Sequence, residues 1–277
     1  RLMALWTDIE TRSDVDLIKH GLMRYAQDPS TQIISMAYAF DDEPVEFWWS
    51  RGGEGRKKKF PREVIDHIKS GQPIFAHNAE FERALFDYVI APDYDFVAPP
   101  LKQWRCTMAL ALTNGFGAGL DTATKNAAVP YIKNPAGARL IKEYCATGHA
   151  DIFAPEFKAD RKIMRDYNIS DVECMRALAA CCRPLTDAEW EEYHLTCRIN
   201  ERGIPIDTAF ADQALGYANE VAADANDHIS RLTNGAMTKH TQRKARDAWL
   251  LPKLTDEQLR ALVVYKKDVK KMSLDSD

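Results

Sequence analysis

The sequence predicts an α/β domain, a mixed sheet flanked by helices, followed by an all-helical segment. Short β-branched and aromatic runs in the first part of the chain alternate with stretches whose apolar residues recur at helical spacing. A long helical pattern at 157–183 closes at Pro184, and only helical spacing is found after it. We therefore expect two parts, an α/β domain at 1–184 and a helical segment at 185–277.

Length and composition narrow the class of protein. The 277 residues are enough for one domain and an appendage. The chain has no apolar run near the ~20 residues that cross a bilayer, and no secretory signal pattern at its start. Its six cysteines lack a Cys-x-x-Cys pair or a histidine at zinc-site spacing. We expect a cytoplasmic protein with free thiols and no membrane contact.

Charge is unevenly distributed along the chain. The net charge of −4 argues against a protein that coats nucleic acid without specificity. Residues 231–277 nevertheless carry eleven Lys and Arg against six Asp and Glu, which gives this part +5 (11 − 6) and the remainder −9 (−4 − 5). Two explanations stay open: a phosphate-contacting region beside an acidic metal site, or ordinary surface variation.

The opening strand carries the first candidate functional residues. The stretch from Leu2 to Thr11 begins as an apolar run, as a buried strand does, and then places Asp8 and Glu10 two residues apart. Because side chains alternate along a strand, both carboxylates project to the same side. Acids this close repel unless a proton or a cation intervenes, and hard divalent cations take carboxylate oxygens. The alternative is a strand that simply runs into a polar loop.

The chain then continues as a predicted meander followed by a helix and a strand. Residues 14–27 and 61–71 have the apolar spacing of helices. The runs 32–40, 45–49 and 73–76 are β-branched or aromatic and predict strands.

The next helix brings a third acid. Asn78 is predicted to cap a helix at 79–90, and Glu82 then lies about one turn into it. The positive end of the helix favours an ionised carboxylate there. Because such an acid commonly serves only to complement the helix dipole, Glu82 gains a functional interpretation only from a partner site.

The long helix at 157–183 holds the last candidate pair. Tyr167 and Asp171 are four residues apart and so lie on one face. An apolar stripe continues along that face and would dock the helix on the sheet, and an acid at its margin is costly unless it is paired or bound to a metal. The remaining predicted helices lie at 104–112, 120–129, 137–145, 187–202, 208–232 and 255–270. Capping boxes at Thr186 and Thr255 begin the helices at 187–202 and 255–270.

Three motifs in this order resemble those of DEDD-type 3′–5′ exonucleases, in particular the proofreading domains of family A DNA polymerases. An Asp-x-Glu ends the first strand, an Asn-x-x-Phe-acid opens a helix, and a Tyr-x-x-x-Asp lies on a late helix. The matching residues are Asp8, Glu10, Asn78, Phe81, Glu82, Tyr167 and Asp171. Position 166 is Asp, whereas the histidine subclass has His there, so the tyrosine subclass is indicated. The resemblance implies a ribonuclease H-like fold.

The resemblance also implies a reaction, the hydrolysis of a phosphodiester bond with two divalent ions, Mg²⁺ or Mn²⁺. The implied metal ligands are Asp8, Glu10, Glu82 and Asp171. Tyr167 would orient the attacking water, because a phenol with a pKa of about 10 is a poor base at neutral pH. Glu82 departs from the family, which usually has the shorter Asp at that position, and we expect activity to be retained.

The implied substrate is a single-stranded or frayed DNA 3′ end, whose splayed bases can stack on aromatic groups. Thr11, Asn78 and Phe81 are the candidates for contacts with the terminal nucleotide. A ribonuclease D-like RNA exonuclease shares the three motifs, and a non-catalytic nucleic-acid-binding scaffold would retain the same fold. Both remain as alternatives.

A second resemblance favours DNA over RNA. Residues 198–207 are similar to the passage from exonuclease into polymerase in phage and bacterial family A enzymes, so 208–277 would begin a polymerase region near the thumb. No stretch resembles the palm carboxylate motifs, and we expect 1–277 not to polymerise by itself. The expectation is a fragment of a monomeric enzyme of DNA replication, with its polymerase domain in cis, in a bacterial or phage-infected cytoplasm.

Overall fold

The chain forms two compact units, Arg1–Arg202 and Gly203–Asp277, in a computed structural model. The structure describes residues 3–52, 56–130, 137–146, 148, 150–261, 263–266 and 269–272. The first unit is built on a five-stranded mixed sheet flanked by helices, and helical segments follow. The predicted fold class, an α/β domain with a mixed sheet flanked by helices and followed by helical segments, is confirmed.

The sheet is centred on its first strand, β1 (Leu5–Arg12). This strand pairs antiparallel with β2 (Gln32–Phe40) and parallel with β4 (Ile74–Ala76). The outer strands are β3 (Glu46–Trp49), antiparallel to β2, and β5 (Trp104–Cys106), parallel to β4. The predicted meander of the first three strands is therefore confirmed, and β1 is held by neighbours on both sides.

One strand of the sheet was predicted as helix. The sequence at 104–112 has helical spacing, but its first three residues form β5 and the helix begins only at Thr107. Trp104 is completely buried, and its Nε1 donates a hydrogen bond to the Pro99 carbonyl at 3.3 Å. Three residues are too few to show the two-residue period of a strand, so pairing with β4 decides the structure here.

Helices cover both faces of the sheet. Leu5 and Ile9 pack on one side, in a cluster with Val64 and Leu85. On the other side a long helix contacts β1 and β2 through an apolar stripe that includes Val172. The helices of this unit are α1 (Leu17–His20), α2 (Leu22–Gln27), α3 (Arg62–Ser70), α4 (Glu80–Leu85), α5 (Ala91–Tyr94), α6 (Thr107–Thr113), α7 (Leu120–Asn126), α8 (Gly137–Leu140), α9 (Lys158–Cys181) and α10 (Asp187–Arg202).

Several predicted helices are interrupted. The helix expected at 14–27 is divided into α1 and α2 at Gly21, whose φ of 80° an L-residue rarely adopts. The one expected at 79–90 continues from α4 through a π-helical turn, Phe86–Ile90, into α5. A second π-helical turn, Ile141–Cys145, follows α8.

Helix α10 belongs to the first unit, although the sequence placed it beyond the domain boundary. Its predicted capping box is present, because the Thr186 N–H donates to Glu189 Oε2 at 2.7 Å and the Glu189 N–H donates to Thr186 Oγ1 at 3.3 Å. Trp190 and His194 are buried, and His194 Nε2 lies 2.9 Å from the carbonyl oxygen of Trp104. A capping box marks the start of a helix and not of a domain, so the boundary follows Arg202.

Within the described residues, the second unit holds three α-helices and one hairpin. Its elements are α11 (Thr208–Leu232), α12 (Arg243–Leu250), α13 (Asp256–Ala261), β6 (Val263–Lys266) and β7 (Val269–Met272). The predicted helix at 255–270 is therefore wrong at 263–266 and 269–270, where strands form and a β-branched and aromatic run favours them. Residues 262, 267 and 268 of that prediction lie outside the described residues. No described helix, including the 25 residues of α11, is long and apolar enough to cross a membrane.

We expect Trp190→Ala to lower the free energy of unfolding by about 3–5 kcal/mol, as for other large aromatic residues truncated in a core. The matched control is Tyr217→Ala, at a position that is 62% exposed on α11, which should change stability by no more than about 0.5 kcal/mol. Urea denaturation followed by circular dichroism measures both. Equal effects of the two substitutions would contradict the placement of α10 in the first unit.

Candidate active site

The first two predicted acids lie on one side of β1, as its alternation requires. Trp6, two residues before Asp8 and so on the same side of the strand, packs in the apolar cluster beside α9. Glu10 is only 9% exposed. A β-bulge follows directly, because Glu10 pairs with Ser35 whereas Thr11 pairs with Ile33. Bulges of this kind re-aim side chains at the end of a strand, and this one lies between an acid and the predicted nucleotide contact.

Helix α4 brings the third acid to the same place. Glu82 is 3% exposed, and its pKa lies well above the usual value because of burial first and the charge of Asp8 second, with a further contribution from Glu10. The predicted capping role of Asn78 is wrong: Ala79 occupies the N-cap, and no side chain caps the helix. Asn78 is instead an exposed residue with a φ of 65°, a conformation that Asn tolerates better than most residues.

Helix α9 supplies the last predicted pair. Tyr167 is 2% exposed and Asp171 is 3% exposed, both on the side of the helix that packs on the sheet. Burial, and then the charges of Glu10, Asp171 and Asp8, raise the pKa of the Tyr167 phenol. The phenol also hydrogen-bonds Asp171. Acids from β1 and α9 therefore surround Tyr167. Glu82 on α4 lies near Asp8 and Glu10, whose charges act on it.

The Tyr167 ring rests against a glycine. A Cβ built on Gly137, the first residue of α8, would overlap ring carbons of Tyr167, the Cδ2 atom lying only 2.6 Å away. The absence of a side chain at this position therefore lets α8 lie against the ring and fixes where the phenol can be.

A residue that the sequence did not single out contacts the first acid. Asn168, which is fully buried, donates through Nδ2 to Asp8 Oδ2 and, at 3.2 Å, to the Asp8 carbonyl. Ser35 Oγ on β2 donates to Asn168 Oδ1 at 3.1 Å. The signal was present in the sequence, because Asn168 is a polar residue between Met164 and Val172 at helical spacing on an apolar face.

A cavity of about 470 Å³ opens beside the acids. Glu10 lines it together with two of the predicted nucleotide contacts, Thr11 and Phe81, whereas Asn78 is not among the lining residues. Most of the remaining wall is apolar, from Ile9, Val15, Leu17, Ile18, Ile141 and Ala146.

Two further cavity residues were not predicted. The Tyr25 hydroxyl lies 2.7 Å from Thr11 Oγ1, and burial is the main reason that its pKa is raised to about 12. Cys145 donates from Sγ to Glu10 Oε2 at 3.8 Å. Neither residue belongs to a recognisable motif, so only the folded arrangement reveals them.

A larger cavity, of about 630 Å³, lies elsewhere on the unit. Arg51, Lys57 and Tyr94 are among its lining residues, and Lys57 is paired with Asp93 at 2.9 Å. None of the predicted site residues lines it, so the smaller cavity is the one that adjoins the acids.

The donor set suits a hard divalent cation, since every predicted ligand is a carboxylate. Glu82 Oε2 is buried and has no hydrogen-bond partner among the described residues, which is unusual for a buried polar atom. As they stand, however, no three His, Cys, Asp or Glu side chains in the described part of the chain are close enough together to hold an ion. Binding therefore requires the carboxylates to converge further.

Comparison with known proteins finds a relative in sequence. No family model matches the chain. The DNA polymerase of Bacillus phage SP02 is 32% identical over 244 residues, which cover 84% of this chain and 36% of the relative. The chain is homologous to a phage DNA polymerase. It spans only about a third of that relative's length.

Among solved structures, the family B DNA polymerase from the hyperthermophilic archaeon Pyrobaculum calidifontis is similar in part. It is 16% identical in sequence, with a TM-score of 0.42, and the match covers 65% of this chain and 24% of that one.

We expect Glu82 to make the metal-free protein less stable as pH rises. Its folded pKa lies above the unfolded value of 4.5, so between these two values the folded state binds more protons than the unfolded state. The free energy of unfolding should then fall by up to about 1.4 kcal/mol per pH unit in this window on account of this group. Urea denaturation in EDTA from pH 4.5 upward measures the slope.

The variant Glu82→Gln should lose this part of the slope and be more stable than the wild type at neutral pH. Glu192→Gln, at an exposed position on α10, is the matched control and should keep the wild-type slope. Equal slopes for the wild type and Glu82→Gln would show that Glu82 does not titrate abnormally.

The contact between Gly137 and the Tyr167 ring predicts that Gly137→Ala destabilises the protein by about 1–3 kcal/mol through overpacking. In a Tyr167→Ala background the same substitution should cost nothing, because the ring is absent. Gly216→Ala on α11, where a Cβ meets nothing within 4 Å, should instead stabilise by up to about 1 kcal/mol. Chemical denaturation of the double-mutant cycle tests this, and additive costs would contradict it.

Proposed function

We propose that the α/β unit is a metal-dependent 3′–5′ exonuclease that removes nucleotides from DNA 3′ ends, and that it is the proofreading part of a DNA polymerase acting in replication. The observation that carries the proposal is that Asp8, Glu10 and Asp171 surround Tyr167, while the buried Glu82 lies close enough to Asp8 and Glu10 to be affected by their charges. Homology to a phage DNA polymerase supports a role associated with a polymerase. The motif order supports the tyrosine subclass of DEDD exonucleases and the family A type of polymerase.

The four carboxylates would hold two divalent ions, Mg²⁺ or Mn²⁺. When bound, such ions supply hydroxide at neutral pH and stabilise the departing 3′ oxygen. The chain supports this in two ways: its ligands are all hard oxygen donors, and the buried Glu82 oxygen is available for a new partner.

The protein's own residues would orient the reaction. Tyr167 keeps its proton at neutral pH, because burial and the surrounding acids raise its pKa, so it serves as a hydrogen-bond donor and not as a base. The phenol donates its one proton to Asp171, and this bond and the contact with α8 hold it in place. Its oxygen would then accept a hydrogen bond from the attacking water and so orient it.

The adjoining cavity would receive the terminal nucleotide. Its volume of about 470 Å³ lies in the range of sites for small ligands, about 300–1,000 Å³. Phe81 offers a ring on which a base can stack, and Thr11, the residue after Glu10, also lines the cavity. Asn78 would contact the strand outside this cavity, since it is exposed and precedes α4.

The remaining assignments are also proposals. Residues from 208 onward would begin a polymerase region in cis, in keeping with a relative of which this chain covers 36%. The parent enzyme would act as a monomer in a bacterial or phage-infected cytoplasm.

The proposal predicts stepwise release of mononucleotides from a 3′-labelled DNA strand with Mg²⁺, abolished by EDTA. Asp8→Ala should lower the rate by more than the ~100-fold that loss of a supporting partner can cost at a metal site. Asp166→Ala, at an exposed position on the same helix as Asp171, is the matched control and should leave the rate unchanged.

Other outcomes would favour the alternatives. A faster reaction on a strand with a ribose 3′ end would indicate a ribonuclease D-like RNA exonuclease. Retained binding of the strand with no release under any divalent ion would indicate a non-catalytic scaffold.

A further inference from the structure

A buried chain of hydrogen bonds runs from β2 through α9 to β1. The Ser35 hydroxyl donates to Asn168 Oδ1 at 3.1 Å, and Asn168 Nδ2 donates to both the carboxylate and the carbonyl of Asp8. Ser35 and Asn168 are both completely buried. Three elements of the fold are thus joined at the first of the four acids.

The chemistry of the Asn168 amide fixes the direction of these hydrogen bonds. An Asn side chain has one carbonyl acceptor and an NH₂ donor, and the two ends are not interchangeable. Because Ser35 donates to the carbonyl end, the NH₂ end of Asn168 must face Asp8. The reverse orientation would place the amide oxygen against a carboxylate, an unfavourable contact.

We propose that Asn168, held by Ser35, is a positioning residue that fixes the Asp8 carboxylate for a divalent cation. This inference rests on the proposed function. By binding Oδ2, it sets the rotamer of Asp8 and hence the direction of the other carboxylate oxygen. Groups that hold metal ligands in this way commonly matter for affinity nearly as much as the ligands.

A neutral donor is the suitable group at this position. Asp8 already lies close to other carboxylates, so a further carboxylate beside it would increase the repulsion. A lysine or arginine would neutralise Asp8 and compete with the cation. An amide orients the carboxylate without adding charge of either sign.

The alternative is that Asn168 only ties α9 to the sheet as a satisfied buried polar residue. That role predicts a loss of stability in the metal-free protein and no specific effect on metal binding. The two roles are separated by measuring Mn²⁺ binding and metal-free stability on the same variants.

The experiment is a titration of the full chain with Mn²⁺ in the absence of DNA, followed by the electron paramagnetic resonance signal of the free ion. We expect Asn168→Ala to raise the Kd for Mn²⁺ about 10–100-fold. Asn168→Asp, which has the same shape but adds charge, should also fail to restore wild-type affinity. Leu178→Ala, a buried truncation about three turns further along α9, is the control for lost packing and should keep the wild-type Kd.

Ser35 provides an independent variant with a smaller change in the core. Ser35→Ala should weaken Mn²⁺ binding less than Asn168→Ala does, and should have no further effect in an Asn168→Ala background, because the amide it orients is gone. If Asn168→Ala does not fold, as judged by circular dichroism, the Ser35→Ala titration decides alone. An unchanged Kd there would then overturn the proposal.

The outcomes separate this proposal from the proposed function. An unchanged Kd in folded Asn168→Ala, or an equal loss in Leu178→Ala, would overturn the positioning role while leaving the exonuclease assignment in place. Mn²⁺ binding that depends on Asn168 without nucleotide release by the wild type would reject the exonuclease and keep the positioning role. A wild type that binds no Mn²⁺ would overturn both.

Discussion

Repulsion among buried carboxylates is the constraint on which the rest of this structure depends. Four acids from β1, α4 and α9 share one region, and burial together with neighbouring charge raises the pKa of Glu82. Placing charges in such an environment is costly unless a counter-ion or a hydrogen bond compensates. The surrounding fold must therefore be rigid enough to hold the acids together.

The architecture supplies that rigidity from several directions. The strand that carries Asp8 and Glu10 is paired on both sides, so it cannot withdraw to relieve the repulsion. Helix α9 is fixed to the sheet by fully buried residues such as Met164 and Leu178, each worth about 1.5–3 kcal/mol when removed from water. Asn168 adds a hydrogen-bonded connection at the point where the charges meet.

The parts of this arrangement that depend on local pattern could be predicted from the sequence. Alternation placed Asp8 and Glu10 on one side of a strand, and four-residue spacing placed Tyr167 and Asp171 on one face of a helix. That these residues meet follows from motif order only through resemblance, because the sequence has no local signal for contacts between distant elements.

The predictions from sequence that were wrong also have physical causes. β5 is too short for its period to be recognised, so its pairing with β4 was decisive. Asn78 has the composition of a cap but adopts a left-handed conformation that moves the cap to Ala79. Tyr25 and Cys145 contact the site only because α2 and the π-helical turn after α8 fold back towards β1, which no short-range pattern encodes.

The central claim is that the four acids form one cation site, and the most direct measurement is a crystal structure of the protein soaked with Mn²⁺, with anomalous differences recorded at the manganese edge. The account predicts anomalous peaks enclosed by Asp8, Glu10, Glu82 and Asp171, with the carboxylates drawn closer together than in the metal-free protein. Ordered Mn²⁺ bound only elsewhere, with these four side chains in their metal-free positions, would contradict it.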